Sequence, residues 1–215
     1  MDDVSDIELV NNRWGSQTVD DQIRRLFAED GTIYLVTGFF TYNAYHALRS
    51  EIEDFLSRNR DNELVIVVGP AADQFSPTIA RELRSVDDGD QVHLYKYPNG
   101  FLHAKLYVRT GENPAVVIGS ANLTQVAFRQ NLELSAYVEC DGPEDERLTV
   151  FLEWIDDLLE VCEPIRRRDL FKPIMMSKTL VNWANKGKLL PSRAVFAHRA
   201  VYLVLAYLVW LFLFA

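Results

Sequence analysis

The segment Phe101-Leu-His-Ala-Lys-Leu-Tyr-Val108 is followed by Ile118-Gly-Ser-Ala-Asn-Leu-Thr124 and then by Asn131-Leu-Glu133. These three stretches collect an imidazole, an ammonium, a hydroxyl, an amide and a carboxylate. His103 and Lys105 are two residues apart, so on a strand they point to one face, because the side-chain period is two. Leu102, Ala104, Leu106 and Val108 then face the other way, into a core. Thr110-Gly-Glu-Asn-Pro114 is rich in turn formers. Ala115 to Ile118 is expected to return antiparallel to the first run. Gly119 at its end lets the backbone approach a ligand closely. Ser120 and Asn122 then aim a hydroxyl and an amide at whatever His103 and Lys105 face. Leu123 to Arg129 reads as a short helix, and Leu132 to Val138 as a strand carrying Glu133.

Such a set can hold a phosphate and attack it. A neutral imidazole acts as a covalent nucleophile. Phosphoryl transfer asks for charge stabilisation on the phosphate oxygens and for positioned reactants. Lys105 supplies a point charge, Ser120 and Asn122 supply neutral donors, and Glu133 can accept the second ring N–H of His103 and fix its tautomer. The set requires no metal and no cofactor, and the chain has no His/Cys/Asp cluster at ligand spacing. A single histidine on a strand is usually structural. The weight here lies in the conjunction of H-x-K, G-S-x-N and a Glu beyond, all at strand ends.

This arrangement resembles the phospholipase D superfamily, whose H-x-K and G-S-x-N signature is met by His103, Lys105, Gly119, Ser120 and Asn122. The resemblance spans roughly Thr32 to Leu159. It implies that His103 is the nucleophile and forms a phosphohistidine, that Lys105 and Asn122 bind the phosphate with support from Ser120, and that Glu133 orients His103. The family usually places an Asp five residues after the Lys. Thr110 stands there, a mark of the nuclease-like branch. The run Ile33-Tyr-Leu-Val-Thr-Gly-Phe-Phe40 with Thr41-Tyr-Asn-Ala44 is similar to the opening of such domains in restriction endonucleases and beside helicases, which makes a helicase or restriction system a candidate partner.

The motif occurs once: His46, His93 and His198 do not begin H-x-K. Family members use two motifs, one histidine attacking and the other protonating the leaving oxygen. The implied solution is a two-fold homodimer that brings both His103 side chains to one shared active site.

The surrounding pattern predicts elements able to position these groups. Thr32 to Phe40 and Leu64 to Val68 read as buried strands, Tyr45 to Leu56 as a helix between them, and Gln91 to Tyr97 as a third strand after a helix opening at Ser76-Pro77. Pro143 to Val161 carries the apolar stripe of a closing helix. The fold class is therefore α/β: a phospholipase D-like mixed β-sheet flanked by helices, with an apolar C-terminal helix added. A catalytic domain is expected over 1–163, a basic linker over 164–199 and an apolar helix over 200–215. Cys140 and Cys162 form neither a disulfide framework nor a metal pattern, and the acidic first residues do not read as a signal peptide.

Ala200 to Ala215 is sixteen residues without a charge. As a helix it would span about 24 Å, against about 30 Å of bilayer core, a gap that Ala194 to Arg199 would close. From Pro164 onward there are nine Lys/Arg against one Asp/Glu, and before it 13 against 30. A basic stretch ahead of an apolar tail predicts a membrane anchor that leaves the catalytic body cytoplasmic. A buried or partner-packed tail is the alternative, and Arg166 to Ser192 resembles nothing recognisable.

The acidic body opposes a polyanionic substrate unless salt screens it, a composition compatible with a salt-loving cytoplasm. Full activity without molar salt would remove that hypothesis. Three functional readings follow: a metal-independent phosphodiesterase acting on DNA or other nucleic acid, a phospholipid hydrolase or transphosphatidylase at the membrane, and an inactive phosphate-binding module.

Overall fold

The computed structural model describes residues 7–13, 17–69, 75–87 and 90–166. All of these belong to the first of the chain's two units, Met1–Leu170. The expected basic linker and apolar tail fall almost wholly outside the described residues, and with them the predicted anchor. Among the described residues no helix is long and apolar enough to cross a membrane.

In chain order the elements are β1 (Ile7–Val10), α1 (Val19–Leu26), β2 (Thr32–Thr37), α2 (Tyr42–Arg58), β3 (Glu63–Val68), α3 (Pro77–Ser85), β4 (Val92–Lys96), β5 (Lys105–Arg109), β6 (Ala115–Gly119), α4 (Gln125–Arg129), β7 (Ser135–Glu139), α5 (Glu146–Val161) and β8 (Glu163–Pro164). The strands form one sheet in the order β1-β7-β6-β5-β2-β3-β4-β8. The β2, β3 and β4 strands are parallel, joined through α2 and α3, and the remaining pairs are antiparallel. This is the mixed, helix-flanked α/β sheet expected of a phospholipase D-like fold.

Alternation along the strands builds a core on each face. Ile33 and Leu35 of β2, Leu64 and Ile66 of β3, Tyr107 of β5 and Val117 of β6 pack with α1, α2, α3 and α4. Val36, Val67, Leu106, Val108 and Val116 pack on the other side with Leu148, Ile155 and Leu158 of α5. The segment before β5 keeps the phase, with Leu102 and Ala104 on the α5 side as their spacing predicts.

Local chemistry fixes the helix starts. Thr18 and Asp21 form a reciprocal capping box at α1, Ser76 caps α3 with Pro77 in the first turn, and Asp145 caps α5. The α1 helix is also locked laterally. Asp20, with 1% of its surface exposed, accepts from Arg24 Nε at 3.1 Å and from Arg129 Nε at 3.0 Å, joining α1 to α4. A buried carboxylate needs such partners.

Candidate active site

The strand order brings the predicted groups to one rim. Thr37 ends β2 and pairs with Lys105, the first residue of β5. Gly119 ends β6 and pairs with Ser135, the first residue of β7. His103 lies just ahead of β5, Ser120 and Asn122 just past β6, and Glu133 just ahead of β7. His103 and Glu133 thus sit in the loops entering the strands rather than on strands, since pairing begins at Lys105 and Ser135.

Lys105 is the centre of charge. Its Nζ donates to the His103 carbonyl oxygen at 2.5 Å, which ties the ammonium to the loop bearing the imidazole. Partial burial pushes its pKa below the ordinary lysine value, while the Glu133 carboxylate opposes the shift by favouring the ammonium.

Asn122 is held by its oxygen. Oδ1 lies 3.2 Å from the Phe39 backbone nitrogen and 3.2 Å from Thr37 Oγ1. Thr37 is fully buried, and its hydroxyl also lies 3.1 Å from the Phe39 carbonyl and accepts from Leu123 N at 3.4 Å. Tyr107 OH donates to the Ala121 carbonyl at 2.6 Å, bracing the same loop from the core. The loop's conformation is set by buried contacts, and the Asn122 amide nitrogen is left for the rim.

Glu133 accepts from Ser120 Oγ and from Asn131 Nδ2, the latter at 3.0 Å. Ser120 Oγ accepts in turn from Leu134 N at 3.1 Å. No hydrogen bond joins Glu133 to the His103 ring, in contrast to the contact expected from the sequence. The reason is the strand order: β6 lies between β7 and β5. Neighbouring strands are about 4.8 Å apart, so Glu133 meets Ser120 first and His103 lies one strand farther on.

Gly119 is needed for a different reason from the one its position suggested. A Cβ there would come within 2.3 Å of the Leu134 carbonyl oxygen and 2.6 Å of Ser135 Cα. The absent side chain serves the contact between β6 and the loop carrying Glu133. Gly38 plays the same part beside the His103 loop, where a Cβ would meet the Leu102 carbonyl at 2.3 Å.

Thr110 is remote from this rim. It follows β5, about 17 Å along the strand from Lys105 at the usual rise per residue. There it ties the start of β2, its N–H donating to Thr32 O at 2.9 Å and its hydroxyl accepting from Thr32 N at 3.1 Å.

Beside the rim, an open cavity of about 420 Å³ is lined by His103, Lys105, Ile118, Val150, Phe151 and Trp154 among others. His46, exposed on the outer side of α2, and His93, within β4, are not part of the rim. Among the described residues no cluster of three or more His, Cys, Asp or Glu could hold a metal ion.

Sequence reasoning missed Thr37, Phe39 and Asp20 as supports. A threonine closing the apolar run Ile33-Tyr-Leu-Val, just before a glycine, was the available signal for the first. Asp20 reads as an ordinary helix-start acid until α4 is seen against it.

Comparison with known proteins agrees with this fold. A family model described as "Cardiolipin synthase, PLD-like domain" matches residues 23–151. No curated protein sequence matches the chain. Among solved structures, the phospholipase D family member Nuc from Salmonella typhimurium superposes with a TM-score of 0.55 at 16% identity, covering 74% of this chain and 97% of that one. NucT from Helicobacter pylori gives 0.54 at 14% identity, covering 74% and 98%. The phosphatidylserine synthase of Haemophilus influenzae gives 0.63 at 12% identity, covering 91% of this chain and 47% of its own length. These likenesses are of fold, while the family model covers more than half of the sequence. The chain therefore belongs to the phospholipase D superfamily, as a protein with a PLD-like domain.

Proposed function

We propose that this protein is a metal-independent phosphodiesterase that works through a phosphohistidine on His103, with nucleic acid as its substrate. The observation that carries the reading is the convergence of His103, Lys105, Ser120 and Asn122 on one sheet rim, with the Asn122 oxygen engaged at 3.2 Å by the Phe39 N–H. A ring nitrogen of His103 forms an N–P bond as the P–O bond to the leaving alcohol breaks. The Lys105 ammonium and the Asn122 amide nitrogen bear on the phosphate oxygens as charge redistributes. Water then attacks phosphorus, the N–P bond breaks and the imidazole is regenerated. Glu133 maintains Ser120 and the charge of Lys105 rather than touching His103.

The leaving oxygen needs a proton, and among the described residues the rim of one chain holds one histidine. We assign that proton to the partner subunit's His103 in a two-fold homodimer. An apolar surface flanks the rim and supports this assembly: Ile118, Leu134, Val150 and Trp154 are all exposed there. A cluster of exposed apolar side chains of this kind marks interaction surfaces.

Nucleic acid is favoured by the single-motif nuclease-like pattern, and this chain matches nearly the whole length of two structural relatives, Nuc and NucT. A lipid reading draws on one observation, the cavity of about 420 Å³ with Ile118, Val150 and Trp154 beside His103, which offers an apolar lining next to a phosphate site. The deciding experiment presents the full chain in EDTA with single-stranded DNA, duplex DNA and phosphatidylglycerol vesicles. DNA cleavage with vesicles untouched supports the nuclease reading; the reverse result replaces it with the lipid one.

A further inference from the structure

The rim carries an aromatic feature that phosphate chemistry does not use. Phe101 keeps 52% of its surface exposed although its neighbour Leu102 is buried at 5%. The Phe101 ring centroid lies 4.4 Å from the His103 imidazole, with the planes at 42°. Phe39 lies 5.7 Å from Phe101, with the planes at 57°. The backbone of Phe39 is also what orients Asn122. Three rings therefore run in contact along the rim and end at the attacking group, anchored to the residue that would hold the phosphate.

We propose that Phe101, backed by Phe39, is a stacking platform for the nucleobase adjoining the scissile phosphate of a single-stranded nucleic acid. The inference rests on the nuclease reading above. An exposed phenyl ring forgoes the stabilisation of burial, and here it does so one ring away from the nucleophile. A nucleobase stands one sugar away from the phosphorus. Its π-face is free in a single strand and covered in a duplex, and stacking on aromatic side chains is how single strands are held without regard to sequence.

Charge gives the platform its importance. The chain before Pro164 has 13 Lys/Arg against 30 Asp/Glu. Arg129, the cation of α4, is committed to Asp20. Affinity gained by neutralising phosphates is correspondingly small, and stacking supplies a term that does not depend on it. The glycerol of a phospholipid has no π-face. A quaternary ammonium headgroup would meet the rings by cation–π attraction instead.

The test is equilibrium binding of the full chain, in EDTA, to a fluorescent phosphorothioate oligothymidylate, which resists cleavage. Phe101→Ala is expected to weaken binding about 5- to 150-fold, the range of a single base–aromatic stack. Phe101→Trp restores it and Phe101→Leu does not. Duplex of equal length binds more weakly than the strand and is indifferent to all three changes. Equal binding by the wild type and Phe101→Leu overturns the platform in favour of a general apolar contact. Absence of oligonucleotide binding, or competition by phosphocholine alone, overturns it in favour of another ligand. Because binding needs no turnover, a platform that behaves as expected in a protein that cleaves no DNA would contradict the nuclease reading only. DNA cleavage with KM unchanged across the Phe101 variants would contradict the platform only.

Discussion

The Phe39 backbone N–H donates to Asn122 Oδ1 at 3.2 Å. A backbone N–H can only donate, so the atom it meets is the amide oxygen, and the Asn122 nitrogen takes the opposite side of the amide. The orientation of the amide proposed to bind phosphate is thus written into the backbone just past the end of β2. Thr37, two residues earlier, reinforces it from a fully buried position.

Thr37→Val keeps shape and removes the hydroxyl. It leaves Leu123 N without its acceptor, an omission worth about 1–3 kcal/mol for a buried donor. The expected result is a lower melting temperature and a kcat reduced about tenfold, since about 1.4 kcal/mol of lost positioning corresponds to one decade. Thr37→Ser should recover both. Steady-state kinetics and thermal melts on the three proteins provide the check.

Glu133→Gln tests the electrostatics of the rim. Burial already holds the Lys105 pKa below its ordinary value of 10.5, and the Glu133 charge counteracts that shift. Neutralising Glu133 removes the counteracting charge, so the ammonium deprotonates at still lower pH. The alkaline limb of the kcat/KM profile should therefore move down in pH relative to wild type. The profile of Lys105→Ala, inactive throughout, serves as the reference for loss of the cation.

Acid stability should depend on Asp145. Hydrogen bonds from Arg147, with the Asp141 N–H, hold its carboxyl well below the ordinary 3.8. A depressed carboxylate contributes stability that is fully present above the unfolded-state value and is lost as pH falls through the folded one. Asp145→Asn retains a helix-capping acceptor but does not titrate. The variant should match wild type less well near neutrality and lose less stability between about pH 4 and pH 2, as urea melts across that range would show.

Leu134→Asp places a charge on the exposed apolar surface beside Glu133 without touching the core. If two copies meet there, sedimentation should shift from dimer to monomer and phosphodiesterase activity should fall at least a hundredfold while the melting temperature stays within a few degrees. A variant that remains dimeric and active would place the interface elsewhere.

Much of this site was legible because its signals are local. H-x-K and G-S-x-N each mark a strand end, and alternation assigned Leu102, Ala104, Leu106 and Val108 to one face correctly. The partner of Glu133 was not legible. It depends on β6 lying between β7 and β5, a fact of sheet order that no short window contains. Gly119 invited a ligand-contact explanation, and only the position of Leu134 reveals what its missing Cβ accommodates. The α1 helix could have been read: Thr18 and Asp21 have capping-box spacing, and Val19, Ile23 and Leu26 recur at helical intervals. The two-residue β8 has no signature of its own, since it exists only by pairing with β4.

The central claim is that His103 forms the covalent bond to phosphorus. Its most direct test is hydrolysis of bis(p-nitrophenyl) phosphate by the full chain in EDTA, wild type against His103→Ala, with the quenched wild-type protein examined for an acid-labile phosphoryl adduct. Turnover in EDTA that disappears in His103→Ala, with the adduct mapped to the peptide containing His103, is the predicted result. Turnover that persists in His103→Ala, or a folded dimer with no turnover at all, would contradict the account and leave the rim as a phosphate-binding site without this chemistry.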